Sequence, residues 1–252
     1  MERRKLIAAN WKMQMSIGAA TAFAGTLRSR LAGAPPCDLA VFPPFVALPA
    51  TAAALKGAPV AVGAQDLFWE KTGAYTGEIS GEMVKEAGGT HVIVGHSERR
   101  HVIGESDEIV AKKLAAALAA GLSVVLCVGE KIDEREAGQA ETVVVRQLAA
   151  ALAGLSPSDT DRIVVAYEPV WAIGTGKTAT PSDAVAMHAV IRRDVSGRFG
   201  AETAQRLRIL YGGSVKPDNA EALLREAEID GALVGGASLE VDSFLRIAGA
   251  VR

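Results

Sequence analysis

Three side chains in this sequence stand where acid–base chemistry needs them, each just beyond a short apolar run. Glu168 ends the run Ile163-Val164-Val165-Ala166-Tyr167 and is followed by Pro169-Val170-Trp171-Ala172-Ile173-Gly174-Thr175-Gly176-Lys177. A carboxylate stripped of water is a stronger base than a hydrated one, and an apolar loop beside it supplies the desolvation. Glu168 is therefore the candidate general base. His96 lies in Gly95-His96-Ser97-Glu98-Arg99-Arg100. A helix starting there would bring backbone N–H groups near the imidazole and disfavour its protonated form. A neutral imidazole can donate a hydrogen bond to a carbonyl oxygen and shuttle a proton between neighbouring oxygens. His91, His101 and His188 follow no strand directly and read as structural. Lys12, two residues after the strand-end Asn10, can offset the charge of an anionic substrate and of a developing enediolate.

Two glycine-rich turns add a second chemistry. Tyr211-Gly212-Gly213-Ser214-Val215 and Val234-Gly235-Gly236-Ala237 each follow an apolar run. Glycine lets the backbone approach a ligand, and exposed N–H groups at a helix start bind phosphate. Barrel enzymes often bind phosphate with the loops after strands 7 and 8, which is where these two turns fall.

Something must carry all these residues to one place. Eight runs read as strands: Leu6 to Ala9, Leu39 to Phe42, Val60 to Ala64, Val92 to Val94, Val124 to Val128, Ile163 to Tyr167, Leu207 to Tyr211 and Ala232 to Val234. They are continuously apolar, as parallel strands buried on both faces are. The segments between them read as helices. Val110, Leu114, Ala117 and Leu118 make one apolar face, with Lys112 and Lys113 expected to point away. Thr180-Pro181-Ser182-Asp183 and Ser106-Asp107-Glu108 have the composition of helix starts. Such a chain can form an open doubly wound sheet or a closed barrel, and eight βα units in 252 residues favour an α/β fold of the single (β/α)8 barrel type. No linker or composition break divides the chain, so residues 1–252 are expected to form one domain.

Bulk properties limit the function. A formal charge of −2 is unlike that of a nucleic-acid binder, so attraction for an anion must be local. Cys37 and Cys127 are too few and too far apart for a disulfide framework or a paired-cysteine zinc site. The apolar stretch after the basic N-terminus breaks at Asn10-Trp11-Lys12, too soon for a signal-peptide core, and no run suggests a membrane span. A soluble, cytoplasmic protein is expected.

Asn10-Trp11-Lys12-Met13, Gly95 to Arg100, Tyr167 to Gly176, Tyr211 to Val215 and Gly231 to Ala237 together resemble triosephosphate isomerase, in order and across nearly the whole chain. The resemblance implies an isomerase of glycolysis and gluconeogenesis that interconverts dihydroxyacetone phosphate and D-glyceraldehyde 3-phosphate with no metal or organic cofactor. It implies Glu168 as the base that moves a proton between two substrate carbons, and His96 as the neutral electrophile. Asn10 and Lys12 match the substrate-contacting pair. Backbone amides of Gly174, Ser214, Gly235 and Gly236 match the phosphate grip, and Glu98 and Cys127 match supporting positions. Pro169 to Thr180 resembles the family's closing lid, with its mobile tip at Ala172 to Gly176. Deleting the tip should raise phosphate elimination relative to isomerisation. Gly73 to Glu78 resembles the loop that docks into a neighbouring subunit, so a homodimer is implied; Gln14 and Asp66 depart from the asparagines common in relatives.

Other readings fit the residues less well. A Schiff-base aldolase would want a lysine in mid-strand, and the strand before Glu168 has none. A zinc aldolase would want several strand-end histidines, and only His96 qualifies. A catalytically inactive phosphate-binding barrel or scaffold would not need every one of these positions filled.

Overall fold

The computed structural model describes residues 3–31, 35–173 and 179–251. Eight parallel strands, Leu6–Asn10 (β1), Asp38–Phe42 (β2), Val60–Ala64 (β3), His91–Val94 (β4), Ser123–Val128 (β5), Ile163–Tyr167 (β6), Arg208–Tyr211 (β7) and Gly231–Val234 (β8), pair in chain order. β8 returns to β1, with Leu6 opposite Gly231 and Ala9 opposite Val234, and the sheet closes into a barrel. The strands coincide with the eight apolar runs to within a residue at each end. β7 starts at Arg208 because Leu207 ends an additional short helix, Ala201–Arg206.

Each strand is apolar along its whole length because both of its faces are buried. Leu6, Ala8, Ala40, Phe42, Ile93, Val125, Ala166 and Leu210 fill the barrel interior. Their strand neighbours Ile7, Ala9, Val41, Val92, Val124 and Val165 face outward into the layer shared with the helices. Side chains that alternate with period two keep this assignment to the strand ends. Asn10 and Glu168 therefore continue the inward-facing sets of β1 and β6 at the C-terminal mouth.

The helices form where the sequence signals placed them. Ser106 Oγ accepts the Ile109 N–H and starts Asp107–Ala119, whose buried face includes Val110, Leu114, Ala117 and Leu118. Thr180 Oγ1 accepts the Asp183 N–H at 3.1 Å, while Asp183 accepts the Thr180 N–H at 3.0 Å, a reciprocal cap on Pro181–Phe199. One expectation is corrected. Lys112 points outward, but Lys113 is buried, because Asp66 and Glu105 receive its ammonium at 2.6 and 2.5 Å. A helix period read from apolar residues alone cannot see a lysine whose partners are buried carboxylates. Among the described residues no helix is long and apolar enough to cross a membrane.

Candidate active site

The C-terminal ends of the strands bring Asn10, Lys12, His96, Glu168, Ser214 and Gly235 to the wall of one cavity of about 130 Å³. Ile173, Gly212, Lys216 and Leu233 also face it. Gly236 opens the short turn Gly236–Ser238 directly behind Gly235. Glu98 and Cys127 stand behind the wall. The expected phosphate contact from Gly174 lies outside the described residues.

Glu168 is only 2% exposed and is held by three donors. The Ser97 backbone N–H donates to Oε2 at 2.8 Å, Ser97 Oγ donates to Oε1 at 3.2 Å, and His96 Nε2 lies 3.0 Å from Oε1. Only glycine fits beside it at position 212, where a Cβ would meet Glu168 Cγ at 2.8 Å and the Tyr167 carbonyl oxygen at 3.0 Å. Cys127 is fully buried on the barrel interior. Desolvation pushes its thiol well above the usual range, and the nearby charge of Glu168 adds to the effect. It stays a neutral, inert thiol packed beneath the carboxylate.

His96 is positioned by a turn and a helix start. Gly95 adopts φ +72°, a left-handed conformation, and the chain then enters a helical turn at Ser97 that continues as a π-helical segment, Arg99–Ile103. The Ser97 amide of that turn goes to Glu168, and the next one points back at the ring. The Glu98 backbone N–H donates to His96 Nδ1 at 3.3 Å, which makes Nδ1 an acceptor and leaves Nε2, the nitrogen that faces Glu168, as the ring's donor. Position at the start of a helical turn, expected from the sequence, thus sets the tautomer.

Lys12 occupies a strained backbone, with φ +52°. Left-handed conformations of residues other than glycine cost on the order of 1 kcal/mol and persist where their surroundings enforce them. Here Asn10 Oδ1 accepts the Lys12 N–H at 3.0 Å, and Gln65 Nε2 donates to the Lys12 carbonyl at 2.7 Å and to the Phe42 carbonyl at 2.9 Å. Lys12 Nζ pairs with Glu98 Oε1 at 2.5 Å. The ammonium is thereby held at the cavity beside Gly235, where a Cβ would lie 3.4 Å from Lys12 Cε.

Several supporting residues carry no signal of their own in the sequence. Gln65 is one, since its role depends on two carbonyls from other loops. Ser97 lies inside the His96 motif but reads there only as a neighbour. Glu130 is fully buried, and its Oε1 accepts both the Tyr167 hydroxyl at 3.0 Å and the Trp171 indole N–H at 2.8 Å. It ties the segment after Glu168 to the end of β5. Among the described residues no group of three or more His, Cys, Asp or Glu side chains is arranged to hold a metal ion.

Fold and site together place the chain among the (β/α)8-barrel enzymes, whose reactions take place at this end of the barrel. Comparison with known proteins narrows the class. A family model described as triosephosphate isomerase matches residues 5–251. Proteins named triosephosphate isomerase from Roseiflexus sp. (strain RS-1), Roseiflexus castenholzii and Chloroflexus aurantiacus are 53%, 54% and 52% identical to it over 245 residues. Those alignments cover 97% of this chain and 96%, 96% and 98% of the three relatives. The chain belongs to the triosephosphate isomerase family. It is an isomerase that interconverts dihydroxyacetone phosphate and glyceraldehyde 3-phosphate.

Proposed function

We propose that the isomerisation runs by proton transfer through an enediolate, with Glu168 as base and His96 as electrophile. The observation that carries this reading is the buried Glu168 carboxylate lying 3.0 Å from His96 Nε2 on the wall shared with Lys12. Carboxylate and imidazole satisfy one another across this wall. A substrate carbonyl oxygen arriving at Nε2 takes over that hydrogen bond and leaves the carboxylate facing the adjacent carbon. Glu168 then removes a proton from that carbon. The electron pair of the C–H bond moves into a carbon–carbon double bond, and the carbonyl oxygen gains the charge that His96 Nε2–H stabilises. His96 passes the hydroxyl proton of the neighbouring oxygen to the charged one, the neighbouring oxygen becomes the new carbonyl, and Glu168 returns its proton to the carbon that bore the original carbonyl, which completes the exchange.

Lys12 offsets the charge of phosphate and enediolate, and Asn10 supports Lys12 and contacts substrate. The amides of Gly174, Ser214, Gly235 and Gly236 bind the phosphate. Glu98 and Cys127 support the site. No cofactor enters this scheme, since base, acid and cation are all side chains. Residues 1–252 act as one catalytic domain, with Pro169 to Thr180 closing over bound substrate. Closure would exclude water and protect the enediolate from losing phosphate.

The same reading includes a homodimer built around Gly73 to Glu78. Met13, Val46, Tyr75 and Val102 support it, because these exposed apolar side chains sit in the loops that follow β1, β2, β3 and β4. Those strands are consecutive neighbours in the barrel, so one side of its mouth carries an apolar surface. Work in the cytoplasm, in glycolysis and gluconeogenesis, suits this chemistry. The test is isomerisation of glyceraldehyde 3-phosphate in a linked dehydrogenase assay with EDTA present, comparing the native chain with Glu168→Gln. Fast turnover in the first and near loss in the second supports the assignment; equal rates would overturn Glu168 as the base.

A further inference from the structure

Arg100 closes the motif that carries His96, yet it lies outside the cavity wall and takes no part in the proton transfers described above. Its side chain is buried, and Nε, Nη1 and Nη2 each have an acceptor. Nε donates to the Gly95 carbonyl at 2.8 Å, Nη2 to the Cys127 carbonyl at 3.2 Å, and Nη1 to Asp107 Oδ1 at 2.7 Å. The Arg100 backbone N–H donates to the His96 carbonyl at 3.0 Å, alongside that of Arg99 at 2.8 Å. One residue therefore grips the carbonyl on either side of the His96 Cα. Fixing those two peptide planes fixes φ and ψ of His96, and with them the direction in which its side chain leaves the backbone.

The grip is anchored to the barrel. β4 ends at Val94, opposite Leu126, whereas β5 runs on to Val128. The Val128 carbonyl points to β6, where it accepts the Glu168 N–H at 2.8 Å. The Cys127 carbonyl therefore points the other way, to the side that β4 has left, and Arg100 supplies the donor missing there. Gly95 makes room for the guanidinium, since a Cβ at that position would lie 2.9 Å from Nη2 and 3.2 Å from the Cys127 carbonyl oxygen. A planar fork serves acceptors in three directions at once, which a lysine ammonium on its flexible stem does not. Asp107 holds the fork at the start of the helix Asp107–Ala119, and its other oxygen accepts Arg146 at 2.7 Å. Asp107 thus keeps a partner if Arg100 is replaced.

We propose that Arg100 is a positioning residue for the isomerisation: by holding the Gly95 and His96 carbonyls and tying them to the end of β5, it sets the direction of the His96 imidazole toward Glu168 and the substrate carbonyl. The proposal rests on the reading of His96 as the electrophile. A ring displaced by about 1 Å still lines the cavity, so binding changes little, but it meets the developing oxyanion poorly, so the rate falls.

The experiment compares the native chain with Arg100→Met, which keeps an extended side chain without its donors, and Arg100→Lys, which keeps the charge without the fork. Each is made with and without His96→Gln. The linked assay gives kcat and KM. The ring-nitrogen resonances of His96, assigned by their loss in His96→Gln, report how Nδ1 and Nε2 are hydrogen-bonded. Arg100→Met should lose kcat by about 10- to 10²-fold, with KM within about twofold and the His96 resonances moved. Arg100→Lys should fall between. In the His96→Gln background Arg100→Met should cost less than about twofold more, because the residue acts through the ring. Native kcat and unmoved His96 resonances beside a lower melting temperature would mark a structural arginine and overturn the proposal. An undiminished loss in the His96→Gln background would overturn it too. If Arg100→Met does not fold, Arg100→Lys decides by the same readings. A His96→Gln enzyme with native kcat would overturn the electrophile reading and the proposal with it. Loss in His96→Gln beside native kcat in Arg100→Met leaves that reading standing and removes Arg100 from it.

Discussion

Glu168 Oε1 and His96 Nε2 face one another at 3.0 Å across the barrel mouth, the carboxylate delivered by β6 and the imidazole by the turn after β4. The turn that carries His96 also grips the carboxylate, through the Ser97 N–H and hydroxyl. Their distance is set by the closed barrel, which holds two non-adjacent strand ends at a fixed separation. The Glu98 N–H on Nδ1 then orients the ring so that the same nitrogen can serve carboxylate or substrate.

From that orientation follows a prediction for His96→Gln. A glutamine amide retains an N–H donor at the cavity but cannot relay a proton between substrate oxygens. We expect kcat to fall by about 10²- to 10⁴-fold with a much smaller change in KM. Initial-rate kinetics in the linked assay measure both. A variant with near-native kcat and a raised KM would show that His96 only binds.

Lys12 separates stability from function. Its φ of +52° is unfavourable for any residue with a Cβ and easy for glycine. Lys12→Gly and Lys12→Ala both remove the cation, so both should lose substrate affinity and raise KM by about tenfold or more. Only glycine relieves the backbone, and it should leave the protein about 1 kcal/mol more stable than alanine does. Urea denaturation of the two variants provides the comparison, and equal stability would mean the left-handed backbone is not strained.

The buried cluster of Asp66, Glu105, Lys113 and Arg99 gives stability a pH dependence. Burial pushes the Asp66 carboxyl up from 3.8 to about 6, with Lys113 and Arg99 opposing the shift and Glu105 adding to it. A raised carboxyl pKa means that the folded state holds the proton more tightly than the unfolded chain. Between roughly pH 4 and pH 6 the native state therefore binds more protons, and this group's contribution makes stability fall as pH rises through that window. Asp66→Asn abolishes that contribution. Relative to native, it should gain stability steadily from about pH 4 to 6 and hold a constant difference above, in urea titrations at one protein concentration. A flat difference across the window would mean that Asp66 is ionised throughout.

How much of this is visible in the sequence depends on what kind of interaction each residue makes. The strands are legible because burial on both faces leaves an unbroken apolar run, as in Val124 to Val128. Glu168, His96, Lys12 and Asn10 are legible because each stands at the end of such a run. Lys113 defeats the pattern because helical periodicity sorts residues by polarity, and its partners Asp66 and Glu105 come from segments 47 and 8 residues away. Gln65 and Glu130 escape it for the same reason. Each acts through contacts between loops, and nothing local distinguishes a glutamine that braces a carbonyl from one in water.

Two glycines should respond in opposite ways to the same added methyl. Gly197 lies within the helix Pro181–Phe199, and a Cβ there would meet nothing within 4 Å. Gly212 follows β7, and its Cβ would lie 2.8 Å from Glu168 Cγ and 3.0 Å from the Tyr167 carbonyl oxygen. Gly197→Ala should stabilise the protein by about 1 kcal/mol, through helix propensity and a less flexible unfolded chain, with kcat and KM unchanged. Gly212→Ala must displace either β6 or the Glu168 side chain. Of the two, the side chain moves more easily, because the strand backbone is paired on both sides. The carboxylate would then leave the Ser97 N–H and the line to His96 Nε2, and kcat should fall by about 10²-fold, as expected for misplacement of a base by about 1 Å. Melting temperature and linked-assay kinetics on both variants decide it. A Gly212→Ala enzyme with native kcat would show that the base tolerates displacement, and that the close packing between β6 and β7 serves the barrel rather than the chemistry.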